Sequence, residues 1–374
     1  MIQFLQLLDF ISTSIVGAIL IKQQLINSNT ISYSLITYSL ASIGGSLFVG
    51  RITQHSTKKT LIILLFLFAI SQLILGIKIS ELTFILSKTL GGATGGLMGS
   101  IAYSQLGNID AGKNTGLWNG RIQTAQSLVS IIGLPLSILT SSQLGPQVYF
   151  FFMFGMSLII VIKLSTTDFI SETQSHRPKV DAVFLVEHAD IFATGLVCYL
   201  SAFLFVTHLA NYLTNAQNAS SSKLSLAYSL SGVITILFSG SIGKIADNKN
   251  SKLLLSLALG LTIIPQIIFN FSDSTNILLF IALPTYLLFS TAVAIYQRGI
   301  ILARKEISSF SLHLLNAIAI RIGILISGII LSGLLKHDNN LSNVFKLSTK
   351  VSIIFSLGSI LLLSYKTIFR RFKN

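Results

Sequence analysis

One carboxylate and three cations lie inside apolar runs of a chain that otherwise avoids charge, and they are the first residues to explain. They are Asp9, Lys88, Arg121 and Arg321. An ionisable side chain in such surroundings is costly and by default marks a path for protons, ions or solutes. Desolvation favours the neutral form of a buried carboxyl, while a cation beside it favours the charged form. A group balanced between the two can take up a proton in one conformation and release it in another. Asp9 is the acid placed to do this, with Arg121 or Lys88 as its neighbour. His208 with Asn211, and His313 with Asn316, add polar groups at i, i+3 spacing, which sets each pair on one helix face. The chemistry implied is proton exchange and solute binding along a wet path. Three buried cations against one acid point further, to an anionic or zwitterionic solute.

The elements that must hold these residues are helices in lipid. Hydrophobic residues make up 52% of the 374 and charged residues 10%, and the mean hydropathy is +0.77. A soluble domain of this size carries far more surface charge. The formal charge of +14 raises nucleic acid as a partner, but the basic residues fall in short gaps between apolar runs and form no stripe, so none is expected. Twelve windows are long and apolar enough to cross a bilayer: 4–22, 31–53, 60–77, 82–104, 117–140, 147–165, 189–212, 224–243, 252–270, 275–297, 309–334 and 345–366. The longest and most polar gap, 166–188, contains "SETQSHRPK" and reads as a cytoplasmic linker. The expected fold is an all-α membrane protein of twelve transmembrane helices in two six-helix halves, 1–165 and 189–374. The first window lacks a basic n-region and contains Asp9, so it reads as a mature span rather than a cleavable signal.

Lysine and arginine set the orientation. Of the 26, 17 fall on the side of the termini, 6 on the opposite side and 3 within spans. The positive-inside rule then places both termini in the cytoplasm, and a multi-pass bacterial inner-membrane protein is expected.

Two basic passages repeat. "GRITQHSTKK" (50–59) and "GSIGKIADNKNSK" (240–252) agree in frame when Gly50 is set on Gly243, and 243 − 50 gives an offset of 193 residues, about half the chain. Gly50, Gln54, Lys58 and Lys59 of the first passage match Gly243, Asp247 and Lys252 of the second as two charged turns, after spans two and eight. Twelve spans with such turns resemble the major facilitator superfamily, whose signature there reads approximately G-x-L-a-D-r-x-G-r-k. Gly243, Ile245, Ala246, Asp247 and Lys252 follow it, with Asn250 in place of the second glycine. The first copy has Gln54 where the acid stands and Thr57 for the second glycine. The resemblance implies that the acid caps the next helix and latches one half to the other. "LDFISTSIVGAIL" (8–20) and "KTLGGATGGLMGS" (88–100) are further similar to the first and fourth spans of drug:proton antiporters of the tetracycline-efflux type, with Lys88 in the place of an arginine. "IIGLPLS" (131–137) departs from their glycine-proline fifth span.

Other motifs carry less. "GNIDAGKN" (107–114) approaches a phosphate loop, but Asn114 replaces the magnesium-binding hydroxyl and no strand precedes it, so no nucleotide cofactor is expected. Glu187, His188 and Asp190 lie at a span boundary without a second ligand set, so no metal is expected. Gly91, Gly92, Gly95, Gly96 and Gly99 give small-residue spacing suited to tight helix packing. Cys198, the single cysteine, reads as a small buried hydrophobe. The loops lack the acidic or histidine-rich patch that a polytopic membrane enzyme or lipid-handling protein would need. The resemblance therefore implies a monomeric secondary transporter working by alternating access, proton-coupled and exporting. Its partners would be a small-molecule substrate, the proton and the bilayer; a facilitator or uptake carrier for a small anionic metabolite is the alternative.

Overall fold

Large apolar side chains cover the outside of this molecule. Ile63, Ile77, Leu237, Phe271 and Leu361 are all exposed on its flanks, while Asp9, Lys88, Gln72 and Gln266 are buried. Such a surface suits lipid as its solvent. The structure, a computed structural model, describes residues 2–52, 57–106, 124–166, 182–248, 250–302, 309–338 and 340–371.

Among the described residues there are twelve long helical segments and no strand. The first six are α1 (Ile2–Lys22), α2 (Ser28–Ile52), α3 (Thr57–Ile77), α4 (Glu81–Leu106), α5 (Thr124–Gln143) and α6 (Pro146–Thr166). The second six are α7 (Ala189–Ala216), α8 (Ser221–Asn248), α9 (Ser251–Phe271), α10 (Thr275–Ile301), α11 (Ser309–His337) and α12 (Leu341–Arg371). Ten of the twelve are long and apolar enough to cross a membrane by length and composition; α2 and α4, richer in serine, threonine and glycine, fall short. A six-residue helix, Ala182–Glu187, occupies part of the expected linker.

Three helices widen into π turns, at Val129–Gly133, Tyr212–Ala216 and Leu278–Ala282. Two of these end two residues before a proline, Pro135 and Pro284. A proline has no N–H to give and its ring crowds the preceding turn, so a wider turn relieves both conflicts. The apolar periodicity of the sequence carries no trace of them.

Small residues decide how the helices approach. A Cβ on Gly96 of α4 would lie 2.6 Å from the Ser42 carbonyl oxygen of α2, and one on Gly92 would strike the Tyr38 backbone. The small-residue spacing in α4 is thus the seam with α2. Within the second six, α7 packs on α11 and α12, and α9 on α10 and α12. Between the two sets of six, α2 meets α11, α5 meets α8, and α1 meets α7. There Gly328 of α11 closes on Ile36 and the Ser32 carbonyl of α2, and Gly232 of α8 closes on Ile131 and the Ser127 carbonyl of α5.

Candidate functional site

Asp9 on α1 and Lys88 on α4 form an ion pair at 2.6 Å, with their side chains 2% and 1% exposed. The same carboxylate oxygen, Oδ1, accepts from Gln72 Nε2 of α3 at 3.0 Å. The second oxygen, Oδ2, is buried without a hydrogen-bond partner and faces the bare Cα side of Gly91. Lys88 Nζ also lies 5.7 Å from the Phe84 ring centre and 5.9 Å from that of Phe150, which supplements its one carboxylate with ring faces. Beside the pair, Tyr149 of α6 donates to Ser12 Oγ at 2.7 Å. The whole cluster sits inside the first six helices. Arg121, the other cation expected near Asp9, lies outside the described residues.

Arg321 does something different. From α11 its guanidinium donates to Ser46 Oγ of α2 and, at 3.3 Å, to the Gly96 carbonyl of α4. It thus ties the second six helices to the first and does not line the central cavity. His208 also joins the two sets: its Nε2 is 3.1 Å from Ser32 Oγ of α2, and both residues are fully buried. Asn211 Oδ1 accepts from Asn215 Nδ2 at 2.5 Å, and the same Nδ2 reaches the Ala18 carbonyl of α1 at 3.3 Å. Ser14 of α1 donates to the Thr207 carbonyl at 2.6 Å. Asn316 Oδ1 accepts from Gln297 Nε2 of α10 at 2.7 Å, inside the second six. The side chain of His313 lies outside the described residues.

The contacts of Ser14, Asn215 and His208 gather toward the end of the bundle away from the termini, at residues 14–18 of α1, 207–215 of α7 and 32 of α2, whereas Arg321 meets α2 and α4 on the termini side of their middles. A cavity of about 200 Å³ occupies the other side, nearer the termini, lined by α1, α7 and α10 with contributions from α2, α5, α9 and α12. Four aromatic residues line it, Phe10, Tyr199, Phe203 and Tyr286. Phe10 and Phe203 are 5.2 Å apart between centroids, and Tyr199 lies near-parallel to Phe203 at 16° and 6.4 Å. Deeper in the second six, Ser201, Ser356 and Gln266 form a polar wall. Arg298 stands on the α10 wall near the termini, and no carboxylate occurs among the described lining residues.

The polar candidates named from sequence therefore separate. Asp9 and Lys88 come together, and Arg321, His208 and Asn211 work at the seam between the two sets of helices. Phe10, Tyr199, Phe203 and Gln266, which border the cavity, were missed because span residues of these types look like ordinary packing. A signal existed: Phe10 and Phe203 are separated by the 193 residues that relate Gly50 to Gly243, as are Ser14 and Thr207.

The signature residues are partly in view. Gly50 lies in the last turn of α2, and Gly243 and Asp247 belong to the last turns of α8, so the expected turn after span eight is still helix up to Asn248. The next helix is capped by Asn250, whose Oδ1 accepts from Lys252 N at 3.1 Å, and not by the expected acid. Asn250 directly precedes α9, and its short side-chain oxygen reaches the first orphan amides. The Asp247 side chain and Gln54 lie outside the described residues. Lys58 donates to the Ser165 carbonyl of α6 at 3.0 Å, while Lys59 is exposed.

Comparison with known proteins agrees with this architecture. Two solved structures of the nucleoside transporter NupG share the fold: one of a point mutant has a TM-score of 0.75 at 15% identity, the other 0.70 at 14%, each match covering 97% of both chains. No curated protein matches the chain. The sequence profile described as Major Facilitator Superfamily matches residues 1–303. With most of its length in that profile and its helices paired around a central cavity, the chain belongs to the major facilitator superfamily.

Proposed function

We propose that the protein is a secondary transporter that carries a small molecule through the cavity between α1, α7 and α10 by alternating access, coupled to protons at Asp9 and working as an exporter. The observation that carries this is the asymmetry of the bundle. The cavity lies toward the termini, while Ser14–Thr207, Asn215–Ala18 and Ser32–His208 hold the opposite end together. A carrier alternates between this arrangement and its opposite by rocking one set of helices on the other.

Proton coupling draws on the Asp9–Lys88 pair. One carboxylate oxygen is paired and the other has no partner. A proton added at Oδ2 would weaken the hold on Lys88, and α1 and α4 both touch the second six helices. The change in charge is thus transmitted to the seam. Export follows from the resemblance of spans one and four to proton antiporters. The second reading is uptake of a small metabolite, favoured by fold similarity to a nucleoside transporter.

Vesicles of both orientations separate the two. A panel of labelled metabolites and drugs is offered to everted vesicles with an acid interior and to right-side-out vesicles with an acid exterior. Accumulation in the everted set supports export; accumulation in the right-side-out set supports uptake. Movement of no panel member beyond control vesicles counts against a carrier.

A further inference from the structure

Phe10, Tyr199 and Phe203 are each only half-buried although they are large aromatics at the centre of the bundle. Their remaining surface borders the cavity. Phe10 comes from the first six helices and Phe203 from the second, so any solute between them touches both moving bodies. Tyr199 and Phe203 stand one turn apart on α7 with nearly parallel rings. Flat unsaturated solutes stack on such faces with little loss of solute or side-chain freedom.

The opposite wall has another chemistry. Ser201 Oγ is 2.7 Å from Ser356 Oγ and 3.0 Å from Ser352 Oγ, and Ser352 Oγ donates to Gln266 Oε1 at 3.1 Å. Gln266 is 1% exposed, and with its carbonyl held, its NH2 group donates to no protein atom among the described residues. On the cavity wall this amide donor, beside linked hydroxyls, is placed to give a hydrogen bond to a solute.

The charged candidates do not alter this picture. Lys88 is neutralised by Asp9 outside the cavity wall, and Arg321 is turned to α2 and α4. Their positions remove the basis for an anionic solute that the count of buried cations gave, and Arg298, the cation on the described lining, stands near the end of α10 at the termini side of the cavity. The lack of a carboxylate among the described lining residues disfavours a cation.

We infer that the cavity takes an uncharged solute with a flat unsaturated ring at one end, held against Phe10, Tyr199 and Phe203, and hydroxyl or amide groups at the other, held by Gln266 and the Ser201–Ser356 pair. The inference rests on the reading of this cavity as the solute path.

The test uses the purified full chain in detergent, with the melting temperature followed against rising uridine, glucose or ethidium. Uridine combines a flat ring with hydroxyls, glucose has hydroxyls alone, and ethidium is a flat cation. Uridine is expected to raise the melting temperature, and the other two to leave it in place. Phe203→Leu and Gln266→Met should each weaken uridine binding by about ten-fold, the scale of one ring contact or one neutral hydrogen bond. Phe203→Tyr should keep it. If Phe203→Leu does not fold, Phe10→Leu reads the same ring slot from the other side. The inference is overturned if uridine does not stabilise the protein, if glucose or ethidium stabilises it equally, or if the leucine variants bind uridine like the parent. Counterflow in proteoliposomes reads transport separately. Uridine binding without exchange supports this inference and contradicts the transport reading. Exchange of glucose or ethidium without uridine binding does the reverse.

Discussion

Phe10 and Phe203 face each other across the two sets of six helices, 5.2 Å apart. Their separation of 193 residues is also the offset between the two signature glycines, and it recurs in the hydrogen bond from Ser14 to Thr207. Helices α1 and α7 are therefore counterparts that meet near a pseudo-symmetry axis, where equal positions touch. A symmetric seam of this kind can close at either end, as alternating access requires.

The Ser14–Thr207 contact belongs to one end state and should be lost in the other. Ser14→Cys with Thr207→Cys, in a Cys198→Ser background, should cross-link under mild oxidation and stop counterflow, with a reductant restoring it. Full counterflow in the cross-linked protein would show that this end of the seam does not open during transport.

Arg321 holds α2 and α4 from the opposite set of helices. Arg321→Ala should shift the population toward the state in which that seam is parted, because a contact made in one state stabilises that state alone. Maleimide labelling of a Ser290→Cys reporter on the cavity wall, in the Cys198→Ser background, should quicken by several-fold from the termini side, since Ser46 and Gly96 lie toward the termini ends of α2 and α4. Labelling at the parent rate would reduce Arg321 to a local contact.

The Asp9–Lys88 pair should behave as a coupled unit in stability. Removing one partner of a buried pair strands a charge and costs about 3–5 kcal/mol, whereas replacing both is close to neutral. Lys88→Met or Asp9→Asn should therefore lower the melting temperature markedly, and the double variant should regain most of the loss. Additive losses would contradict the pairing.

Tight seams should reject a single methyl. Gly96→Ala forces a Cβ to 2.6 Å from the Ser42 carbonyl, while the same change at Gly44 meets nothing within 4 Å. The first should destabilise by about 1–3 kcal/mol, as overpacking does, and the second should be near neutral. Comparable melting temperatures for the two would place the α2–α4 seam elsewhere.

The all-helical membrane fold and the glycines of the α2–α4 seam, Gly92 and Gly96, were legible because membrane insertion imposes long apolar runs and close approach demands small residues. The pairing of Asp9 with a cation was legible as a need, but not the choice of Lys88, which depends on how α1 and α4 cross. Arg321 was visible as an anomaly; its partners, Ser46 and Gly96, carry no signal of their own. The cavity rings were hidden because Phe10 and Phe203 satisfy the same hydropathy as lipid-facing phenylalanines. Only the 193-residue repeat marks them. The π turns at Val129–Gly133 and Leu278–Ala282 answer to prolines in the sequence, while that at Tyr212–Ala216 precedes none.

Coupling at Asp9 is the central claim, and the double variant Asp9→Asn with Lys88→Met tests it in a protein expected to stay folded. Substrate counterflow in proteoliposomes, which needs only alternating access, is measured beside accumulation driven by an imposed pH gradient. The expected result is counterflow near the parent rate with gradient-driven accumulation abolished, while Asp9→Glu, which keeps a titratable group, retains part of both. Accumulation at the parent level in the double variant would contradict the account and leave the buried pair a structural clasp.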